Sequence, residues 1–302
     1  MTLHRIRNTA NLMRHLLFVG VLVNGLATAA DAQLSDLFSA LTGNQTPTNG
    51  IPIGSKTPEE VKRHLRDKVA AFDVTVNGQP AEWKSTPLMD WQNTTRMSER
   101  GLFYIWAIGD RPAVLGSVFS FELFGTVRTK TELIALVPDV EIRVGDRTLW
   151  KPDGAVPRFR SVPDTQPPAA SPARRKLQIA AIAKRFAARH VDPRGGTTEL
   201  RMMEKPIHRY RSPADDIMDG VIFPMVISTD PEVFLIIEAR MTDDGPAWFY
   251  APVPSHYHEL RVSLDDEPVW TSPLRMQFEN MNEGEAEAIS SPHTSFAPIG
   301  GF

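Results

Sequence analysis

The chain has 302 residues, with 33 Lys+Arg against 36 Asp+Glu, no cysteine, 42% hydrophobic residues and 23% charged ones. This is the composition of a globular protein, and it excludes a disordered polyelectrolyte, a collagen-like chain and a multi-span membrane protein. The missing cysteine excludes disulfide scaffolds, thiolate zinc sites and thiol catalysis, and the near-neutral charge lacks the basic footprint of a nucleic-acid binder.

Residues 1–32 read as an export signal. Arg5, Arg7 and Arg14 precede an apolar stretch at 16–26, and Ala30-Asp31-Ala32 supplies a small-x-small cleavage pattern before Gln33. The stretch is shorter than the roughly 20 residues of a permanent span, so no membrane span is expected after cleavage. The chain is therefore expected outside the cytoplasm, in the periplasm or at the cell envelope. Residues 33–56 are polar and punctuated by Gly and Pro, which predicts a flexible N-terminal segment.

A first block covers 57–151. Thr57-Pro58-Glu59-Glu60 is a capping box with proline at the first helical position, and Val61, Leu65, Val69 and Phe72 follow at helical spacing. Strand patterns come next, separated by short turns such as Gly109-Asp110-Arg111-Pro112 and Gly145-Asp146. Links this short favour antiparallel pairing, because parallel strands need a long crossover. Residues 152–170 are rich in Pro and Ala and predict a semi-rigid linker. The second block, 171–278, opens on Ser171-Pro172 and a helix with Ile179, Ile182, Ala183 and Phe186 on one side and basic residues from Arg174 to Arg189 on the other. Strand patterns follow again. Residues 279–302 turn acidic and then Ser/Pro/Gly-rich, as a disordered tail would.

Shifting one block over the other by 119 residues matches Pro87 to Pro206, Trp91 to Tyr210, Gly101 to Gly220, Pro112 to Pro231 and Val114 to Val233. With a one-residue slip, Trp150 falls on Trp270. The expectation is an α+β protein of two tandem repeats, each a helix packed on a mainly antiparallel β-sheet.

One resemblance adds to this. The series Gly101-Leu102-Phe103-Tyr104-Ile105-Trp106, Arg111-Pro112-Ala113-Val114 and Leu149-Trp150-Lys151-Pro152 is followed by Glu199-Leu200-Arg201, Asp219-Gly220, Thr229-Asp230-Pro231-Glu232 and Ile236-Ile237-Glu238-Ala239-Arg240. Together these resemble a family of uncharacterised exported proteins of planctomycete bacteria. The resemblance implies source and export. It carries no activity, cofactor or catalytic residue.

The chain has no GxSxG, HExxH, P-loop or GxGxxG motif. Its densest chemistry is Ser255-His256-Tyr257-His258-Glu259. On a strand His256 and His258 share a face, and a third metal ligand could come from His208, or from Asp243 or Asp244. Asp215, Asp216 and Asp219 read as cap and turn residues, and Glu238 with Arg240 as a same-face ion pair. Trp91 and Tyr210 are candidate ligand-stacking aromatics, with packing between helix and sheet as the plainer account. The leading expectation is an exported, non-catalytic binding or interaction module of the cell envelope, whose partner is an unidentified envelope protein or polymer and not a nucleic acid. Alternatives are a metal-assisted hydrolase using His256 and His258, and a purely structural envelope component. The one cofactor in view is a divalent metal at His256, His258 and His208.

Overall fold

A computed structural model describes residues 57–93, 98–123, 126–152, 156–192, 195–273 and 293–298, all within one unit, Gly50–Phe302. The expected leader at 1–32, the segment at 33–56 and most of the expected tail lie outside the described residues.

Helix α1 (Pro58–Ala70) begins at the predicted capping box: the Thr57 hydroxyl accepts from the Glu60 amide at 3.3 Å, and the Glu60 carboxylate accepts from the Thr57 amide at 2.7 Å. Strands β1 (Asp73–Val76), β2 (Gln79–Pro80), β3 (Glu82–Asn93), β4 (Ser98–Ile108), β5 (Arg111–Leu123), β6 (Thr126–Ala135), β7 (Val140–Val144) and β8 (Arg147–Trp150) follow. Within the expected linker, β9 (Arg160–Ser161) pairs with Phe249 and Tyr250. Helix α2 (Pro172–Ala183) then leads into β10 (Phe186–Val191), β11 (Thr197–Met202) and β12 (His208–Ser212). After a single 3-10 turn come β13 (Ile217–Ile227), β14 (Asp230–Thr242), β15 (Gly245–Pro254), β16 (Glu259–Leu264) and β17 (Glu267–Ser272). Within the segment expected as a tail, β18 (His293–Pro298) pairs antiparallel with β6.

The strands form three antiparallel sheets. Their orders are β2-β1-β7-β8, β18-β6-β5-β4-β3 and β17-β16-β10-β11-β13-β14-β15-β9, with β12 added beside β13. This corrects the expected fold class. The protein is mainly β, and the α+β architecture of two repeats, each a helix packed on a sheet, is not what the chain builds. Among the described residues the two α-helices are 13 and 12 residues long, whereas β5 and β14 alone have 13 each. The physical reason is that long hairpins, not helices, carry most of the burial. Leu102, Tyr104 and Trp106 of β4 face a core shared with Leu65 and Val69 of α1. Phe103 and Ile105, on the opposite face, enter a second core with Phe234, Ile236 and Ile222. A third core holds Ile179 and Ile182 of α2 with Val221, Phe223 and Met225 of β13. The central strands are thus buried on both faces, which is why they read as continuous apolar runs.

What recurs at the 119-residue spacing is strand pairing. Trp106 faces Val114 and Ala107 faces Pro112 across a bulge; Met225 faces Val233 and Val226 faces Pro231 across another. Trp91 lies opposite Gly101, and Tyr210 opposite Gly220. At a spacing one residue longer, Ile142 faces Trp150 next to a bulge, as Val262 faces Trp270. Among the described residues no helix is long and apolar enough to cross a membrane.

Candidate metal centre

Strand β10 alternates inward and outward, and Phe186, Ala188 and His190 are its buried residues. His190 pairs with Leu260 on β16 and with Thr198 on β11. The chain reaches β16 from β15 through residues 255–258, so this register sets the loop carrying His256 and His258 beside the inward face of His190. The loop is pinned at its start, where the Ser255 amide donates to the Glu232 carbonyl at 2.8 Å.

Three imidazoles converge there. One ligand nitrogen from each of His190, His256 and His258 lies within 4.8 Å of the others. His190 Nε2 and His258 Nδ1 are 2.6 Å apart, so one of the two carries the proton they share. The His258 amide donates to His256 Nδ1 at 3.1 Å. The carboxylate of Glu232, whose side chain is 0% exposed, places Oε2 at 3.6 Å from the same Nδ1. Tyr257 packs against both neighbouring rings, stacked on His256 at 4.2 Å and edge-on to His258 at 4.7 Å. Over the Tyr257 ring, at 4.9 Å, stands the ammonium of Lys130 from β6, itself ion-paired with Glu132 at 2.5 Å.

This donor set suits a borderline metal. Imidazole nitrogens bind zinc at about 2.0–2.1 Å, and tetrahedral ligands at that length lie roughly 3.3 Å from each other. The His190–His258 spacing would open by under roughly 1 Å to admit an ion. Hard cations such as calcium prefer sets of oxygen ligands, whereas this cluster presents three imidazole nitrogens.

The structure brings His256 and His258 together and adds His190, which the sequence reading missed. His208 is not part of the cluster. It lies on β12 opposite Ile222, its ring stacked on Tyr210 at 5.8 Å, and burial holds its pKa below the ordinary imidazole value. Asp243 and Asp244 sit in the β14–β15 turn, at the Thr242–Gly245 end of a ladder whose other end pairs Val233 with Pro254 near the histidines. The signals for His190 were its place in an alternating apolar strand and its register with Leu260, and register is not visible in the sequence.

Trp91 and Tyr210 occupy the core between the two large sheets, 3% and 6% exposed, their rings laid across Gly101 and Gly220. Neither offers an open stacking face. Tyr210 donates its hydroxyl to Glu238, which also binds Arg240, so the carboxylate is held in an ion pair. Burial, then the Glu238 charge and hydrogen bond, push the Tyr210 phenol well above its ordinary pKa. Asp215 pairs with Arg111, and Asp216 takes the left-handed conformation that ends the 3-10 turn. Asp219 is fully buried and binds both Arg175 and Arg209.

The fold supplies an internal comparison for the histidine site. Val76 pairs with Val140 on β7 as His190 pairs with Leu260 on β16. The Leu136 amide donates to the Ala113 carbonyl at 2.8 Å, as that of Ser255 does to Glu232. Around Val76, Ala113 and Val137 lies a cavity of about 270 Å³, lined also by Arg111, Asp139 and Asp215. The same pairing geometry thus stands with Val76, Val137 and Asp139 where the other half has His190, His256 and His258, and the imidazoles are not a requirement of the fold.

Comparison with known proteins gives no match to a family model, to a curated protein or to a solved structure.

Proposed function

We propose that the chain is a non-catalytic binding module whose ligand is a first-row divalent transition-metal ion, with zinc the best fit, held by His190, His256 and His258. The observation that carries this reading is the convergence of three imidazole nitrogens within 4.8 Å. The first half supports it, because the same strand pairing and loop anchor stand there with Val76, Val137 and Asp139 in place of the three histidines. Metal-assisted hydrolysis needs a coordination position open to water and substrate. His190 is only 4% exposed and Tyr257 is stacked on His256, which favours holding an ion over turning over a substrate. In an exported chain without cysteine, such an ion would cross-link β10 to the loop before β16 where no disulfide is available.

Elemental analysis of the purified chain after equilibration with zinc and removal of excess metal tests the reading. One zinc per chain is expected, falling to background in His190→Ala and in His258→Ala. Wild-type protein that retains no zinc, or variants that retain all of it, would refute it.

A further inference from the structure

Resting on that reading, we infer that Glu232 is a positioning residue of the metal site, fixing the His256 ring through its Nδ1 so that Nε2 is directed to the ion. Two functions of Glu232 can be separated. Its backbone carbonyl accepts from the Ser255 amide at 2.8 Å and anchors the loop. Its side chain, 0% exposed, brings Oε2 to 3.6 Å from His256 Nδ1. In the first half the anchoring bond is made by Ala113, also at 2.8 Å, to the Leu136 amide. The anchor therefore needs no carboxylate.

A wholly buried carboxylate is costly unless a partner compensates it. At the position where the other half carries a methyl group, the carboxylate faces an imidazole of the cluster. Histidines that ligate metals commonly donate their second ring N–H to a carboxylate, which sets tautomer and ring orientation and raises ligand basicity. In the structure His256 Nδ1 accepts from the His258 amide at 3.1 Å. Loading the ion at Nε2 puts the remaining proton on Nδ1, where it faces Oε2 instead of an amide N–H. A small rotation of the ring closes 3.6 Å to an ordinary hydrogen bond. The negative charge then lies next to a dication, which offsets the cost of its burial. His190 and His258 hold the site through their own nitrogens. Glu232 acts through His256, and its removal weakens the site without removing a ligand.

The test uses the full chain, stripped of metal and titrated with cobalt(II), which reports both affinity and ligand field through its visible absorption. Glu232→Gln keeps the size of the side chain, and Glu232→Ala reproduces the residue that the first half uses in the same backbone bond. Both are expected to keep the metal-free circular dichroism spectrum, to bind cobalt about 10–100-fold more weakly, and to shift its visible bands. Glu232→Asp is expected to recover part of the loss. Equal affinity and identical bands in wild type, Glu232→Gln and Glu232→Ala would overturn the positioning role while leaving the three-histidine site standing. A wild-type chain that binds no cobalt would overturn the metal site, and this role with it.

Discussion

His190 Nε2 and His258 Nδ1 lie 2.6 Å apart although 68 residues separate them in the chain. Two strands bring them together, β10 by its inward alternation and β16 by its register. This relationship predicts which histidines matter. His190→Ala should abolish zinc binding measured by titration calorimetry, whereas His208→Ala, on β12 and outside the cluster, should leave affinity within about twofold. Loss of binding in His208→Ala with retention in His190→Ala would reverse the assignment. In wild-type protein, zinc at 100 times its dissociation constant should add about 2.7 kcal/mol to unfolding free energy.

Gly220 lies under the ring of Tyr210, and a Cβ built on it would stand 2.4 Å from Tyr210 Cζ. The ring is rigid and 6% exposed, so it has little room to withdraw. Gly220→Ala should cost about 1–3 kcal/mol in denaturant unfolding. In a Tyr210→Leu background the same change should cost less, because the colliding atoms are gone. Equal costs in both backgrounds would show that the ring does not set the penalty.

Asp219 is fully buried between the guanidinium groups of Arg175, at 2.9 Å, and Arg209, at 2.5 Å. Burial pushes its carboxyl up, but the hydrogen bonds from Arg209 and Arg175 outweigh burial and hold the pKa below the ordinary aspartate value. A depressed pKa means that the stabilisation is fully present above the unfolded value, about 3.9, and is lost as pH falls through the lower folded value. Asp219→Asn leaves the Arg175 charge buried without its counter-ion and should cost about 3 kcal/mol at pH 7. The partly exposed Arg209 adds little to that figure. Urea midpoints of wild type and variant should converge as pH drops below about 4. A gap that stays constant in acid would contradict the account.

Tyr257 stands between the two loop histidines and under Lys130 of β6. The loop therefore touches both large sheets. Tyr257→Ala should keep zinc binding but increase amide exchange in the Lys130–Leu133 stretch of β6 and cost about 1 kcal/mol, the size of a shielded cation–π contact. Unchanged exchange along β6 would show that the loop does not brace that sheet.

The sequence displayed the strand grammar well. Trp91 with Gly101 and Tyr210 with Gly220 proved to be cross-strand pairs at the 119-residue spacing. Both helix starts at Thr57 and Ser171 were legible from their caps, because a cap is a local interaction. Those clear helix signals also led to the wrong class. How much a helix contributes depends on the sheets around it, and sheet size follows from long-range pairing that no window of sequence contains. The nine-stranded sheet joins β10 to β16 across some seventy residues. The same limit applied to the site. His256 and His258 were visible as a pair two residues apart, while His190 and Glu232 joined them only through register and the Ser255–Glu232 bond.

X-ray absorption at the zinc edge of the zinc-equilibrated chain tests the central claim most directly. The account predicts a first shell with three imidazole nitrogens at about 2.0–2.1 Å and the outer-shell scattering of histidine rings, reduced by one ring in His256→Ala. A shell made only of oxygen ligands, or a spectrum unchanged in His190→Ala, His256→Ala and His258→Ala, would contradict it.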